Sequence, residues 1–145
     1  MTTLAELPES QIENLLNLGG MLSAWTGPYG AEPAPTVQKM LFYEPTDANE
    51  RVILIRNSGS SGVNDEDLRR PSYMIVMFGR VDESPATVKT RMDDINGWLL
   101  ENYQSDSIIG VEVLTDVLGP YLTTTGRPFS EITVQLTISR NRTVK

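Results

Sequence analysis

The chain has 145 residues, 39% of them hydrophobic, which fits one domain able to bury a core of its own without staples. It holds no cysteine and no histidine, which excludes disulfides, thiolate nucleophiles, Ser-His and Cys-His catalytic pairs and the usual zinc ligand sets. Nineteen acids against twelve bases give a formal charge of −7, and the first fifty residues carry one base, Lys39, against seven acids; a general nucleic-acid binder would show the opposite balance.

Pro8 suits the first turn of a helix, with Glu9 and Glu13 near its positive end, and Ile12, Leu15, Leu16 and Leu22 sharing one face. Gly19 and Gly20 either end it or weaken it before residues 21–25. Residues 26–35, with two glycines and three prolines, read as an extended, turn-rich connection. Strands are expected over 36–44 and 51–57, the second built on Val52, Ile53, Leu54 and Ile55, and the turn 45–50 between them makes a hairpin the economical reading. The polar stretch 58–70 is longer than an ordinary connection, and loops of that length are commonly functional.

The stretch 71–103 organises the rest. Tyr73, Met74, Ile75, Val76, Met77 and Phe78 are apolar without period-2 relief, the pattern of a strand covered on both faces or of a buried helix segment; Pro71 before it, Gly79 after it and the aromatics within it favour the strand. A helix over 84–103 follows, with Ser84 as its cap, Pro85 at the first helical position, and Val88, Met92, Ile95, Leu99 and Tyr103 in one stripe. Gly97 interrupts it at a cost of about 1 kcal/mol relative to alanine, and implies a close approach to the backbone there, with Trp98 adjacent.

Residues 108–114 read as a further strand and 115–127, with Gly119, Pro120 and the threonines at 123–125, as a second long loop. The last strand alternates cleanly, with Ile132, Val134, Leu136 and Ile138 on one face and Glu131, Thr133, Gln135, Thr137 and Ser139 on the other. A wet face of uncharged side chains is one that a neighbouring subunit can cover without burying charge.

Candidate chemistry is sparse. Gly59, Ser60, Ser61 and Gly62 lack the spacing of a phosphate loop, open no helix and run into Asp65, Glu66 and Asp67, which would repel an anion. The acids 65–67 and the pair Asp93 and Asp94 lack calcium-loop spacing, and the pair falls on the outer side of the long helix. Neither a catalytic residue, nor a metal site, nor a cofactor is expected. Arg69 and Arg70 beside the acidic triplet form a dipolar patch, read either as a solvated loop with weak ion pairs or as half of a head-to-tail contact between copies. No apolar run approaches a membrane span and no basic start leads into a cleavable apolar core, so an unexported chain outside the membrane is expected.

Taken in order, these elements resemble the tail-terminator, or tail-completion, proteins of long-tailed bacteriophages. The resemblance rests on residues 70–80 around the apolar strand, on the helix with Trp98, and on Gly126, Arg127 and Pro128 leading into the final strand, and it covers most of the chain. It implies an α+β fold, a small mixed and mostly antiparallel sheet flanked by two main helices, as a single domain over 1–145. It also implies a structural, non-enzymatic virion protein: a homohexameric ring on the last ring of the tail tube, at the head-proximal end of the tail. Assembled in the host cytoplasm, the ring would end tube growth and present a surface to the head–tail connector protein, with DNA passing its lumen unbound. The subunit or tube interface would then draw on Asp65, Asp67, Arg69, Arg70, Thr123, Thr125, Arg127, Thr133, Gln135 and Thr137. Three alternatives remain open on the sequence: a connector or neck protein of the same virion, a small ligand-binding enzyme or regulator using the Gly-Ser loop, and a monomeric adaptor that pairs a strand edge with its partner.

Overall fold

The computed structural model describes residues 8–22, 26–27, 30–31, 34–60, 68–69, 71–101 and 108–139. They form α1 (Pro8–Leu18), β1 (Thr26–Gly27), β2 (Gly30–Ala31), β3 (Thr36–Lys39), β4 (Val52–Ser60), β5 (Leu68–Arg69), β6 (Pro71–Phe78), α2 (Pro85–Glu101), β7 (Ile108–Val113), β8 (Leu118–Leu122) and β9 (Pro128–Ser139). The main sheet runs β3-β4-β6-β9, with β7 and β8 following one another along the outer edge of β9. β5 lies in register with β6 against β9, Arg69 opposite Ile138 and Ser72 opposite Gln135, so the two are one interrupted strand. All pairings are antiparallel except β3 with β4, and β1 and β2 pair only with each other. This is the α+β arrangement of a small mixed, mostly antiparallel sheet with two helices.

The sequence patterns explain the layers. Val88, Met92, Ile95 and Leu99 of α2 and Ile12, Leu15 and Leu16 of α1 are buried against Ile53, Ile55, Tyr73, Ile75, Met77, Ile132, Val134 and Leu136, all from alternate positions of β4, β6 and β9. Each such side chain contributes about 1.5–3 kcal/mol on burial, against about 0.2–0.5 kcal/mol for an exposed helix pair such as Lys89 with Asp93, so the apolar stripe sets the helix orientation. Both helices therefore lie on one face of the sheet. On the other face Val52, Leu54, Val76 and Phe78 make a smaller cluster that no helix covers.

The two helices are fastened where α1 ends. Gly20 has φ 71°, and the N–H groups of Gly20 and Met21 donate to the carbonyls of Asn17 and Leu16, a Schellman closure that needs a residue at ease in the left-handed region. Trp98 of α2 donates its ring N–H to the Leu15 carbonyl at 3.1 Å, and Arg91 donates to the Met21 carbonyl at 3.1 Å. The indole lies so close to Gly19 that a Cβ there would sit 2.4 Å from ring atoms.

Four expectations need correction. β3 and β4 are parallel, not a hairpin: Met40, at φ 75°, turns the chain out of β3, and residues 40–51 return across the sheet to start β4 beside it. The Gly-Ser patch begins as strand, with Gly59 opposite Ser72 and Ser60 opposite Pro71, while Ser61 and Gly62 lie outside the described residues. The stretch 115–127 contains β8, hidden in the sequence by the turn signal of Gly119 and Pro120. Finally, the close backbone approach is at Gly19 rather than Gly97, whose added Cβ would meet nothing within 4 Å. Tyr103, placed on the α2 stripe, lies outside the described residues.

The two glycines give opposite responses to one substitution. Gly97→Ala should raise stability by up to about 1 kcal/mol, the helix-propensity difference, whereas Gly19→Ala should lower it by about 1–3 kcal/mol through the clash with Trp98. Urea unfolding midpoints of the two variants check both signs; a Gly19→Ala protein as stable as wild type would contradict the packing described.

Candidate functional site

The sheet face opposite α1 and α2 is the one that neither described helix covers. Because residues directly opposite in register share a face, Val52, Phe78, Phe129 and Tyr121 form one row across β4, β6, β9 and β8, and Leu54, Val76, Glu131 and Leu118 form the next. Three ring pairs tie the first row together: Phe42 stacks on Phe78 with centroids 4.1 Å apart, Phe78 meets Phe129 at 5.3 Å, and Tyr121 meets Phe129 at 5.4 Å. Further along, Arg56, Met74 and Thr133 share a row, with Gln135 and Thr137 beyond. The face thus grades from aromatic to polar. Leu118 and Tyr121 are 40% and 48% exposed, which marks the aromatic end as incompletely covered.

The strap of residues 40–51 limits that face. Gln38 grips the main chain of Tyr43 from both sides, donating from Nε2 to its carbonyl and accepting its N–H at Oε1, each at 2.8 Å. This holds Phe42 over Phe78 and leaves Met40, Leu41 and Tyr43 exposed. The far half is held by Arg127, which is fully buried. Its Nε donates to Glu44 at 3.0 Å, Nη1 to the carbonyls of Glu50 and Gly79, and Nη2 to the Asp47 carbonyl at 3.0 Å. Thr125 donates to the same Glu44 oxygen at 2.7 Å, and Thr123 accepts the Arg127 N–H at 3.0 Å.

A second buried ion pair sits beside it. Arg51 holds Glu83 with two hydrogen bonds, one from Nε at 3.0 Å and one from Nη2, and the Arg80 N–H adds a third at 2.9 Å. Burial alone would raise the Glu83 carboxyl, but the Arg51 and Arg80 hydrogen bonds, with both arginine charges, outweigh it and hold the group below the ordinary glutamate range. Glu44 is lowered in the same sense: desolvation opposes the shift, and the Thr125 and Arg127 hydrogen bonds with the Arg127 charge prevail.

A family model for phage tail termination proteins matches residues 15–140. The chain belongs to that family. No curated protein matches the sequence. The matched span of this tail termination protein takes in the last four residues of α1, the whole main sheet, the strap and α2, so the uncovered face lies wholly within it.

The residues expected at an interface divide three ways. Thr133, Gln135 and Thr137 do share the uncovered face, all partly exposed, while Ile132, Val134 and Leu136 between them are buried. Thr123, Thr125 and Arg127 instead anchor the strap, and Arg127 needs correcting as an interface residue: all three guanidinium nitrogens are engaged inside the chain and none reaches the surface. Asp65, Asp67 and Arg70 lie outside the described residues, and Arg69 is placed only by its backbone, in β5 opposite Ile138. Asp93 and Asp94 are exposed on α2, with Asp93 paired to Lys89 at 3.1 Å. No group of three or more acids that could hold a metal occurs among the described residues, and no described helix is long and apolar enough to cross a membrane.

Sequence reasoning missed Phe42, Tyr43, Leu118, Tyr121 and Phe129 as members of one surface. Only register brings them together, and register is not written in any one of their segments.

Two measurements check the electrostatics. Arg127→Met should cost about 3–5 kcal/mol, the penalty of breaking a buried charge network, and should expose the strap to proteolysis. Because the Glu83 pKa is depressed in the folded state, its contribution is present above the ordinary glutamate value of 4.5 and is lost as pH falls through the lower, folded value. Glu83→Gln should therefore be less stable than wild type near neutral pH, with the gap narrowing as pH falls below 4.5 in urea unfolding; a gap constant with pH would contradict the assignment.

Proposed function

We propose that this chain assembles as a ring, a hexamer, that caps the tail tube, ends tube polymerisation and offers its other side to the head–tail connector protein. The observation that carries this reading is the uncovered sheet face within a chain of the tail termination family. On this face Val52, Leu54, Val76 and Phe78 are buried while Leu118 and Tyr121 at the edge are exposed, and the face continues into Thr133, Gln135 and Thr137, uncharged and partly exposed groups that a partner can cover without stranding a charge. The reading makes the chain a structural component of the virion, a single domain without enzymatic activity, and puts its partners as further copies of itself, the tube protein and the connector. Its negative charge suits a lumen through which DNA passes without sticking.

Native mass spectrometry over a concentration series tests the ring directly, with a sixfold species expected to grow with concentration or on addition of tube ends. Thr133→Lys with Gln135→Lys should suppress that species while the monomer stays folded and loses no more than about 1 kcal/mol, because both positions are partly exposed and Gln135 stands opposite Glu112. Undiminished assembly by the double variant would remove the sheet face from the interface.

A further inference from the structure

We propose that Asn96 is a self-modification site controlled by the folding of α2. While the helix is formed the side chain is unreactive; when the helix opens, it closes onto the main-chain nitrogen of Gly97 and an acid replaces the amide. This chemistry is independent of the ring reading.

Gly97 is a glycine that packing does not explain. It weakens α2, yet an added Cβ there would meet nothing within 4 Å and its backbone is helical, so neither a close approach nor a left-handed turn requires it. What it does change is the chemistry of its neighbour. The side-chain carbonyl carbon of an asparagine and the next main-chain nitrogen can close a five-membered ring, and a glycine in the following position puts no Cβ in the way and leaves the backbone freest to turn. The eight asparagines of the chain are followed in turn by leucine, leucine, glutamate, serine, aspartate, glycine, tyrosine and arginine, so Asn96 alone precedes a glycine. The step balances with water as its one co-reactant. A base from solvent takes the Gly97 N–H proton, the nitrogen bonds to Asn96 Cγ, and the Cγ–Nδ2 bond breaks to release ammonia, leaving a cyclic imide. Water then opens one or other carbonyl of the ring, giving aspartate or its β-linked isomer, in which an extra carbon enters the main chain.

The folded helix blocks this step twice. Residues 96 and 97 both lie inside α2, whose ladder commits the Gly97 N–H to the Asp93 carbonyl, and ring closure requires the Asn96 backbone to rotate out of helical angles. The Asn96 side chain is also confined: it is partly buried beside the core residues Met92 and Leu99, at i−4 and i+3, and its Oδ1 is enclosed with no hydrogen-bond partner among the described residues. The same surroundings reject the product. A carboxylate at this position has no donor to receive its charge and meets Asp93 at i−3, while the β-linked isomer breaks the helical spacing of the stripe. A helix that has opened and reacted therefore does not close as it was, and a reversible opening of α2 becomes permanent.

Incubating the full chain in mildly alkaline buffer, with and without enough urea to unfold it, tests this, with peptide mapping by mass spectrometry reading the conversion at each asparagine. In urea Asn96 should convert ahead of the other seven, and Gly97→Ala should return it to their pace. A reaction that passes only through the open form runs at its intrinsic rate multiplied by the open fraction, so the folded chain should convert at least about a hundredfold more slowly than the unfolded one. On dilution from urea, followed by far-ultraviolet circular dichroism, wild type should lose recoverable helix in proportion to the fraction converted, and Gly97→Ala should recover in full after the same interval. Equal rates in the folded and unfolded chain, another asparagine leading in urea, or full recovery of converted chains would each overturn the proposal.

Discussion

One buried guanidinium holds the strap on which the shape of the open face depends. Residues 40–51 must recross the sheet because β3 and β4 are parallel, and a segment that crosses a sheet face cannot satisfy its backbone through the ladder. Arg127 supplies the missing donors, reaching the carbonyls of Asp47, Glu50 and Gly79 and the carboxylate of Glu44. Burying a charge carries a desolvation cost of several kcal/mol, and it is tolerated only where hydrogen bonds use the group fully. Here every guanidinium nitrogen is used, so the strap, the end of β6 and the turn before β9 move as one piece. At the near end of the strap Gln38 holds the Tyr43 main chain and so keeps Phe42 over Phe78, which gives the aromatic row across the sheet a defined end.

That constraint separates two surfaces with different physics. The helix side is closed by aliphatic packing, complete to within a few per cent exposure at every core position. The opposite side relies on a handful of aromatics and a strap, and beyond Met74 it passes into Thr133, Gln135 and Thr137. Stacked rings add modest energy beyond their buried area, about 0.5–1.5 kcal/mol per pair, enough to order the row, which is buried at Val52 and Phe78 and exposed only toward Tyr121. The polar continuation is uncharged except for Arg56, Glu131 and Glu112, so a partner that covers it meets few desolvation penalties.

Where the sequence was legible, one element carried its own signal. The α2 stripe, the Pro85 start and the alternation of β9 all follow from spacings of 3.6 and 2, and the structure places Val88, Met92, Ile95, Leu99, Ile132, Val134 and Leu136 in the core as those spacings require. The errors arose where a decision depended on two segments. Nothing within 36–57 distinguishes a hairpin from a parallel pair, because the reason for the crossover is Arg127, some eighty residues away. Gly119 and Pro120 read as a loop because they interrupt the strand whose Leu118 and Tyr121 face Glu131 and Phe129. Likewise an arginine between glycine and proline looks like a surface loop residue, and only the loops folded around it reveal that it is buried.

A two-layer molecule has an inherent polarity: its helix side and its sheet side are different surfaces. Contact between unlike surfaces cannot be satisfied in a pair, since each added copy brings a fresh unsatisfied face, and the outcomes are an open filament or a closed ring. In a closed ring of head-to-tail contacts both contact surfaces of every copy are consumed, so nothing around the circumference is left to recruit another subunit. What remains exposed is the pair of rims, where the strand ends and connecting loops lie. A ring of this kind can sit on the end of a tube through one rim without repeating the tube's own growing surface on the other, which is the physical requirement for stopping a polymer rather than extending it.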